Sequence, residues 1–236
     1  MNETLDLNRF HDINDLRLVM KALRDKENGC PWDSVQTHES IRQDCLEEAY
    51  EVCDAIDRND MADLKEELGD LLLQVVFHSA MEEEKGNFTF DDVCDAVATK
   101  MIQRHPHVFK DREGYIGAEK YDMWETAKRE EHGQHSTADA VDGVAHTLPS
   151  VWRLSKMVKK AGKAGFEEYP NLKSSADSLV ESIENGAFDN IGDIYSEFML
   201  SLVSRLYGKI DMEKTLQDAC DRFAGQVRCW EEHHEN

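Results

Sequence analysis

Apolar residues recur at i, i+3, i+4 and i+7 through nearly the whole chain, with almost no strict alternation and only four prolines to interrupt them. That period belongs to α-helices with one buried face and is incompatible with half-buried strands. An all-α protein is therefore expected. Its helices are placed at 12–27, 36–58, 60–85, 89–105, 118–131, 148–162, 172–185, 188–207 and 211–232. The breaks carry turn chemistry: "ENGCPWD", "EKGNFTFDD" with Thr89 or Asp91 as a cap, and "KAGFEEYPN". A chain of 236 residues with 40 % hydrophobic content has room for a packed core in one large domain or two modest ones.

The stretch 133–149 is polar, short of large apolar residues and ends in Pro149, so it is read as a linker between a domain at 1–132 and another at 150–236. The second part repeats the first weakly. "LRLVMKALRDKENGC" lines up with "WRLSKMVKKAGKAGF" at an offset of 136, matching Arg17 to Arg153, Leu18 to Leu154 and Gly29 to Gly165. Two copies of one helical module are expected, too few for a solenoid.

The charge balance, 49 acidic against 27 basic side chains and a net of -22, argues against nucleic acid or an anionic membrane as a partner of the whole surface. An anionic substrate then needs local cations or a metal. The six cysteines form no CxxC pair, which disfavours a zinc site or a disulfide framework and suits a reducing compartment. No apolar run is long enough to span a bilayer and no charged-then-apolar leader opens the sequence, so a cytoplasmic protein is expected.

"KEELGDLLLQVVF" (65–77) is almost wholly apolar after its first turn, yet on a helical wheel Glu67, Asp70, Gln74 and His78 fall in one narrow stripe. A helix so apolar is expected to be covered on several sides. Gly69 costs about 1 kcal/mol relative to Ala and is read as a point of close approach by the preceding helix. In that helix Leu46, Ala49, Tyr50, Cys53 and Ile56 form the expected apolar face, with Glu47, Glu48 and Glu51 clustered on the other. Like charges so spaced repel, and a divalent cation reverses the sign. Glu48 and Glu51 on one helix with Glu67 and Asp70 on its antiparallel neighbour could supply four oxygens around one or two Mg²⁺ ions. Acidic clusters on helices are also ordinary solvated faces. It is the coincidence of EExxE and ExxD on consecutive helices that favours a metal site.

In combination and order, "GCPWDSVQTHESI", EExxE, ExxD, "KMIQRHPHVF" and "YDMWETAKREEH" resemble the MazG nucleoside triphosphate pyrophosphohydrolases of the all-α NTP pyrophosphatase superfamily, densely from about residue 10 to 132 and loosely beyond. The resemblance implies two tandem MazG-like modules of four to five helices, the second degenerate. It implies Glu48, Glu51, Glu67 and Asp70 as Mg²⁺ ligands, with Mn²⁺ as a substitute, and Glu47 as a further ligand or water-orienting group. It assigns Lys100 and Arg104 to the triphosphate and Trp124 and Lys128 to the nucleotide; Trp32 is given a secondary substrate role. Lys100 and Arg104 also fit a solvated face, and Trp124 a core position. His105 and His107 are read as flanking a helix-ending proline, and His78 as a hydrogen-bonding support.

The expected reaction is Mg²⁺-dependent hydrolysis of (d)NTPs of broad base specificity to monophosphate and pyrophosphate, a house-cleaning role, by a homodimer. No GxxxxGK[ST] is present, so a P-loop mechanism is excluded; neither carboxylate helix has the Glu-x-x-His of di-iron bundles. In the second copy Glu181 and Glu184 keep an ExxE spacing, but Asp193 and Ser196 replace the ExxD pair and Gln226 falls where a second cation belongs after Arg222. Catalysis is therefore expected from the first copy. The alternative is a nucleotide-binding regulatory module with little catalysis, at least in the C-terminal half.

Overall fold

A computed structural model of the chain describes residues 11–109, 133 and 135–234. Every regular element among them is helical. They form two compact units, Met1–Tyr115 and Ile116–Asn236.

In the first unit α1 (Ile13–Leu23) starts at Asp12, whose carboxylate accepts from the backbone of Asn14 and Asp15 while Asp15 returns the bond to Asp12. A short 3₁₀ turn (Asp33–Val35) follows, then α2 (Arg42–Arg58) and α3 (Met61–Lys85). Only Asn59 and Asp60 separate those two helices. Asn59 takes the left-handed conformation that ends α2, at φ 55°, and Asp60 caps α3. So short a connection forces an antiparallel hairpin. Gly86 ends α3 at φ 73°, and Thr89 opens α4 (Phe90–Arg104) with Asp92 completing a capping box. His105 ends α4, and Pro106 opens the single turn α5 (Pro106–Phe109). Helices α1, α2 and α4 all pack on α3.

The core gathers around the C-terminal half of α3: Val76, Phe77 and Met81 meet Met20 and Ile41, with Ile13, Leu16, Leu73, Ala80 and Phe90 around them. The N-terminal half is different. Leu68 and Leu72 are 50 % and 40 % exposed, and nothing lies within 4 Å of where a Cβ on Gly69 would stand. The cover expected over all of α3 thus extends over only half of it, and Gly69 does not serve close approach by α2. The face of α2 is also other than expected. Ile41, Cys45, Glu48, Val52 and Ala55 turn inward, spaced by three and four residues, while Leu46, Tyr50 and Ile56 are exposed. Hydrophobicity alone picked the wrong side, because the inner side of this helix carries a carboxylate.

The second unit comprises α6 (Thr137–Asp142), α7 (Ser150–Lys163), α8 (Leu172–Glu184), α9 (Ile191–Leu206) and α10 (Met212–His234). Helix α6 lies within the stretch expected to be a linker. The polar residues that gave it that character, Ser136 and Asp139, are a capping box, and its small apolar residues Ala140 and Val144 are buried. Val158, Val203 and Met212 centre the core, and a Ser175–Ser201 hydroxyl bond of 2.9 Å crosses from α8 to α9 inside it. Val151, Leu154 and Val158 occupy core positions as Ile13, Leu16 and Met20 do in the first unit, a constant offset of 138. That is two residues from the 136 at which the side-chain identities align. The expected helix 118–131 lies outside the described residues.

Candidate functional site

The hairpin connection fixes which residues of α2 meet which of α3. Glu48 on the inner side of α2 faces Glu67 and Asp70, one turn apart on α3, and the three bring carboxylate oxygens within 4.8 Å of one another. All three residues are half-buried. Partial burial, then the charges of Asp70, Glu51 and Glu67, push the Glu48 carboxyl above its ordinary range. The Glu67 carboxyl is raised by burial, then by Glu51 and Asp63. A site that resists its own ionisation is one a hard dication relieves, and an all-oxygen donor set suits Mg²⁺ or Mn²⁺. These three residues therefore fit such an ion.

The other expected residues divide. Glu51 stands outside the group of three, exposed, though its charge reaches both Glu48 and Glu67. Glu47 is exposed on α2. Lys100 and Arg104 share one face of α4, Lys100 half-buried and Arg104 only 8 % exposed. Trp124 and Lys128 lie outside the described residues. Among the described residues no second group of three such donors gathers, and in the second unit Glu181, Glu184, Asp193 and Ser196 are all exposed.

Trp32 sits on the loop between α1 and α2, 57 % exposed, its ring in a T-shaped contact with Phe77 at a centroid distance of 6.5 Å. Arg24 holds that loop. Its guanidinium donates to the Asp33 carbonyl at 2.8 Å and pairs with both carboxylate oxygens of Glu84 on α3, at 2.5 and 2.9 Å. It also lies 5.3 Å over the Phe77 ring. Sequence reasoning did not single out Arg24 or His38. His38 Nε2 is bonded to Glu82 at 2.6 Å and its Nδ1 to His78 at 2.6 Å. The only signal in the sequence was His78 on the carboxylate stripe.

Across the seam the register of α2 on α3 is held on both sides of the carboxylates. Arg58 near the end of α2 pairs with Asp63 near the start of α3, and Cys45 reaches Gln74 and His78.

Residues 36–109, which include the three clustered carboxylates and Lys100 and Arg104, match the family model described as the MazG nucleotide pyrophosphohydrolase domain. The chain is 42 % identical over 180 residues to the nucleoside triphosphate pyrophosphohydrolase of Escherichia coli K12, covering 76 % of this chain and 68 % of that one. It is 34 % identical over 227 residues to a Thermotoga maritima protein named nucleoside triphosphate pyrophosphohydrolase/pyrophosphatase MazG, covering 93 % and 86 %. Similarity to the nucleoside triphosphate pyrophosphohydrolase of Mycobacterium tuberculosis is 39 % over 186 residues, or 75 % of this chain and 55 % of that one.

Proposed function

The chain belongs to the MazG nucleotide pyrophosphohydrolase family, and from that premise we propose that it is a hydrolase cutting nucleoside triphosphates between the α- and β-phosphates, releasing nucleoside monophosphate and pyrophosphate. The observation that carries this is the convergence of Glu48, Glu67 and Asp70 across the α2–α3 seam. These three, with Glu51 beside them, hold Mg²⁺ or Mn²⁺. The ion, when bound, neutralises phosphate charge and lowers the pKa of a water.

Glu47 orients the attacking water or takes its proton. Lys100 and Arg104 offset the charge that moves onto the leaving pyrophosphate. Trp32 and Trp124 offer apolar faces for the base, with Lys128 near the nucleotide; stacking discriminates weakly among bases, so several NTPs and dNTPs are substrates. Such breadth suits a house-cleaning enzyme of the nucleotide pool.

Catalysis belongs to the first unit. The scattered acids of the second support a structural or nucleotide-binding regulatory role there, as an eroded copy of the same module. The exposed apolar faces of α2 and α3 support a homodimer. The excess of acid argues against nucleic acid as a partner, no described helix is long and apolar enough to cross a membrane, and the free cysteines suit the cytoplasm.

The test is product analysis with the common NTPs and dNTPs, with and without Mg²⁺. Metal-dependent pyrophosphate release from several of them is expected. Release of orthophosphate in its place refutes the reaction, and turnover of a single base refutes the breadth.

A further inference from the structure

His38, in the loop before α2, meets His78 of α3 edge to edge, with ring centroids 4.9 Å apart and planes 11° from parallel. Their Nδ1 atoms are 2.6 Å apart. On the outer edges His38 Nε2 is 2.6 Å from Glu82 Oε1, and His78 Nε2 is 3.4 Å from Cys45 Sγ. The Cys45 thiol also reaches Gln74 Oε1 at 3.9 Å.

Two nitrogens so close hold one proton between them, since two N–H groups cannot point at each other. Glu82 fixes the direction. It also accepts from Lys85 and Asn87, both at 2.6 Å, and its carboxyl is held down to about 2 by Asn87, Lys85 and His38, so it is an acceptor only. His38 must then donate from Nε2 and, when neutral, has a bare Nδ1. His78 donates its Nδ1–H to that atom and keeps Nε2 bare, and the Cys45 S–H donates to Nε2. Every link of the chain is thereby determined.

One further proton fits, at His78 Nε2. That nitrogen then donates to Cys45 Sγ, and the thiol hydrogen turns to Gln74 Oε1. A second proton has no place, because it would set N–H against N–H. The charged and titratable groups around the pair are Glu39 of the loop, Asp44, Cys45 and Glu48 of α2, and Glu82 and Lys85 of α3. Burial, then the neighbouring His38, keeps the His78 pKa below the ordinary imidazole value, which favours the neutral chain at neutral pH.

Cys45 lies one turn from Glu48 on α2, and Gln74 one turn from Asp70 on α3. We propose that His38 and His78 are positioning residues for the carboxylate cluster, an edge-to-edge pair that shares one proton between its rings and sets, through Cys45 and Gln74, the register of α2 on α3. Taking up the single extra proton adds a positive charge about 12 Å along α3 from Asp70. That charge opposes a dication at the cluster. The tautomers stand on the geometry alone, whereas the effect on the cluster rests on its being the metal site.

Nitrogen-15 NMR of the imidazoles in the metal-free full chain tests the first part, with His38→Gln and His78→Gln supplying assignments. The expected result is His78 in its Nδ1–H tautomer, His38 in its Nε2–H tautomer, and uptake of one proton by the two rings together. A neutral His78 carrying its proton on Nε2, or two rings that each become imidazolium above about pH 5, overturns the shared proton. The second part is read as the Mg²⁺ concentration for half-maximal turnover. In the wild type it rises about threefold as the pair is protonated. His38→Gln keeps a donor for Glu82 but has no Nδ1 acceptor, so in the folded variant this pH dependence moves to the pKa of His78 alone. An unchanged pH dependence in that variant overturns the positioning role. A wild type with no Mg²⁺ dependence at any pH overturns the metal site and the positioning role together, with the tautomers still judged by NMR.

Discussion

Glu48 of α2 and Asp70 of α3 face each other across the hairpin seam with carboxylate oxygens within 4.8 Å, and Glu67 completes the group. Ionised and without a counter-ion, they oppose folding. The folded-state pKa values of Glu48 and Glu67 lie above their unfolded values. The destabilisation is therefore fully present above the folded pKa and disappears as pH falls toward the unfolded one. Glu67→Gln should raise the melting temperature of metal-free protein at neutral pH. Mg²⁺ should raise that of the wild type and do much less for the variant. A variant that melts lower than wild type in chelator contradicts this account of the cluster.

The two units should differ sharply in what their acids contribute. Glu67→Ala removes one of three converging oxygens and should reduce kcat/KM by roughly 10²–10³-fold, the scale of losing one preorganised electrostatic group. Glu181→Ala, at an exposed position with no such neighbours, should leave turnover within about twofold. Steady-state kinetics on both variants decides the matter, and the reverse ranking would move catalysis to the second unit.

The end of α3 and the start of α4 were legible because their chemistry is local: Gly86 and Thr89 act on their own backbone wherever they occur, whereas α2, expected from residue 36, starts only at Arg42 and α1, expected to 27, ends at Leu23. The carboxylate stripe was legible for a related reason, since Glu67 and Asp70 share a helix face by spacing alone. What needed the structure was the choice of partner. Leu46 and Tyr50 looked like the buried side of α2 because large apolar residues usually are, yet Glu48 and Cys45 turn inward. Hydropathy does not say whether an apolar face is covered by its own chain. The repeat was visible in Arg17, Leu18 and Gly29, but core register follows burial at Ile13, Leu16 and Met20, so Leu154 aligns with Leu18 by identity and with Leu16 by its place in the core. His38 meets His78 only through tertiary folding, and spacing in the sequence gave no hint of it.

Arg24 should be the most sensitive charged residue of the first unit for stability. It is 7 % exposed and joins the Trp32 loop to Glu84 through a bidentate pair. Arg24→Ala leaves the Asp33 carbonyl without this donor and Glu84 without its partner. Since Glu84 can still reach water, the expected loss is about 2–4 kcal/mol, toward the lower end for breaking a buried pair. Arg24→Lys should recover only part of it, because an ammonium cannot make the two parallel bonds. Urea unfolding of both variants measures the difference. Equal stability of the lysine variant and wild type would show that the fork geometry is irrelevant.

Glu82 gives an acid limb of known direction. Its pKa is depressed to about 2 in the folded chain by bonds from Asn87, Lys85 and His38. Its contribution is therefore complete above the unfolded glutamate value of about 4.3 and is lost as pH falls from there toward 2. Glu82→Gln should be less stable than wild type at pH 6, and the gap should narrow steadily below pH 4. Unfolding midpoints across that range test it, and a gap that stays constant down to about pH 2 assigns the stabilisation to something other than the ionised carboxylate.

The exposed side of the hairpin yields the last prediction. Leu68 and Leu72 of α3 and Leu46 and Tyr50 of α2 are exposed, and the open space beside Gly69 lets a neighbouring backbone come close. Burying one leucine side chain is worth about 1.5–3 kcal/mol, so a symmetric interface that contains each of them twice gains strongly. The wild type should sediment as a dimer at micromolar concentration. Leu72→Asp buries two carboxylates in that interface and should raise the dimer dissociation constant by about 10²-fold or more, since every 1.4 kcal/mol is a factor of ten. Sedimentation equilibrium over a concentration series reads this directly. A wild type that stays monomeric at high micromolar concentration removes the dimer, and a dimer untouched by Leu72→Asp places its interface elsewhere.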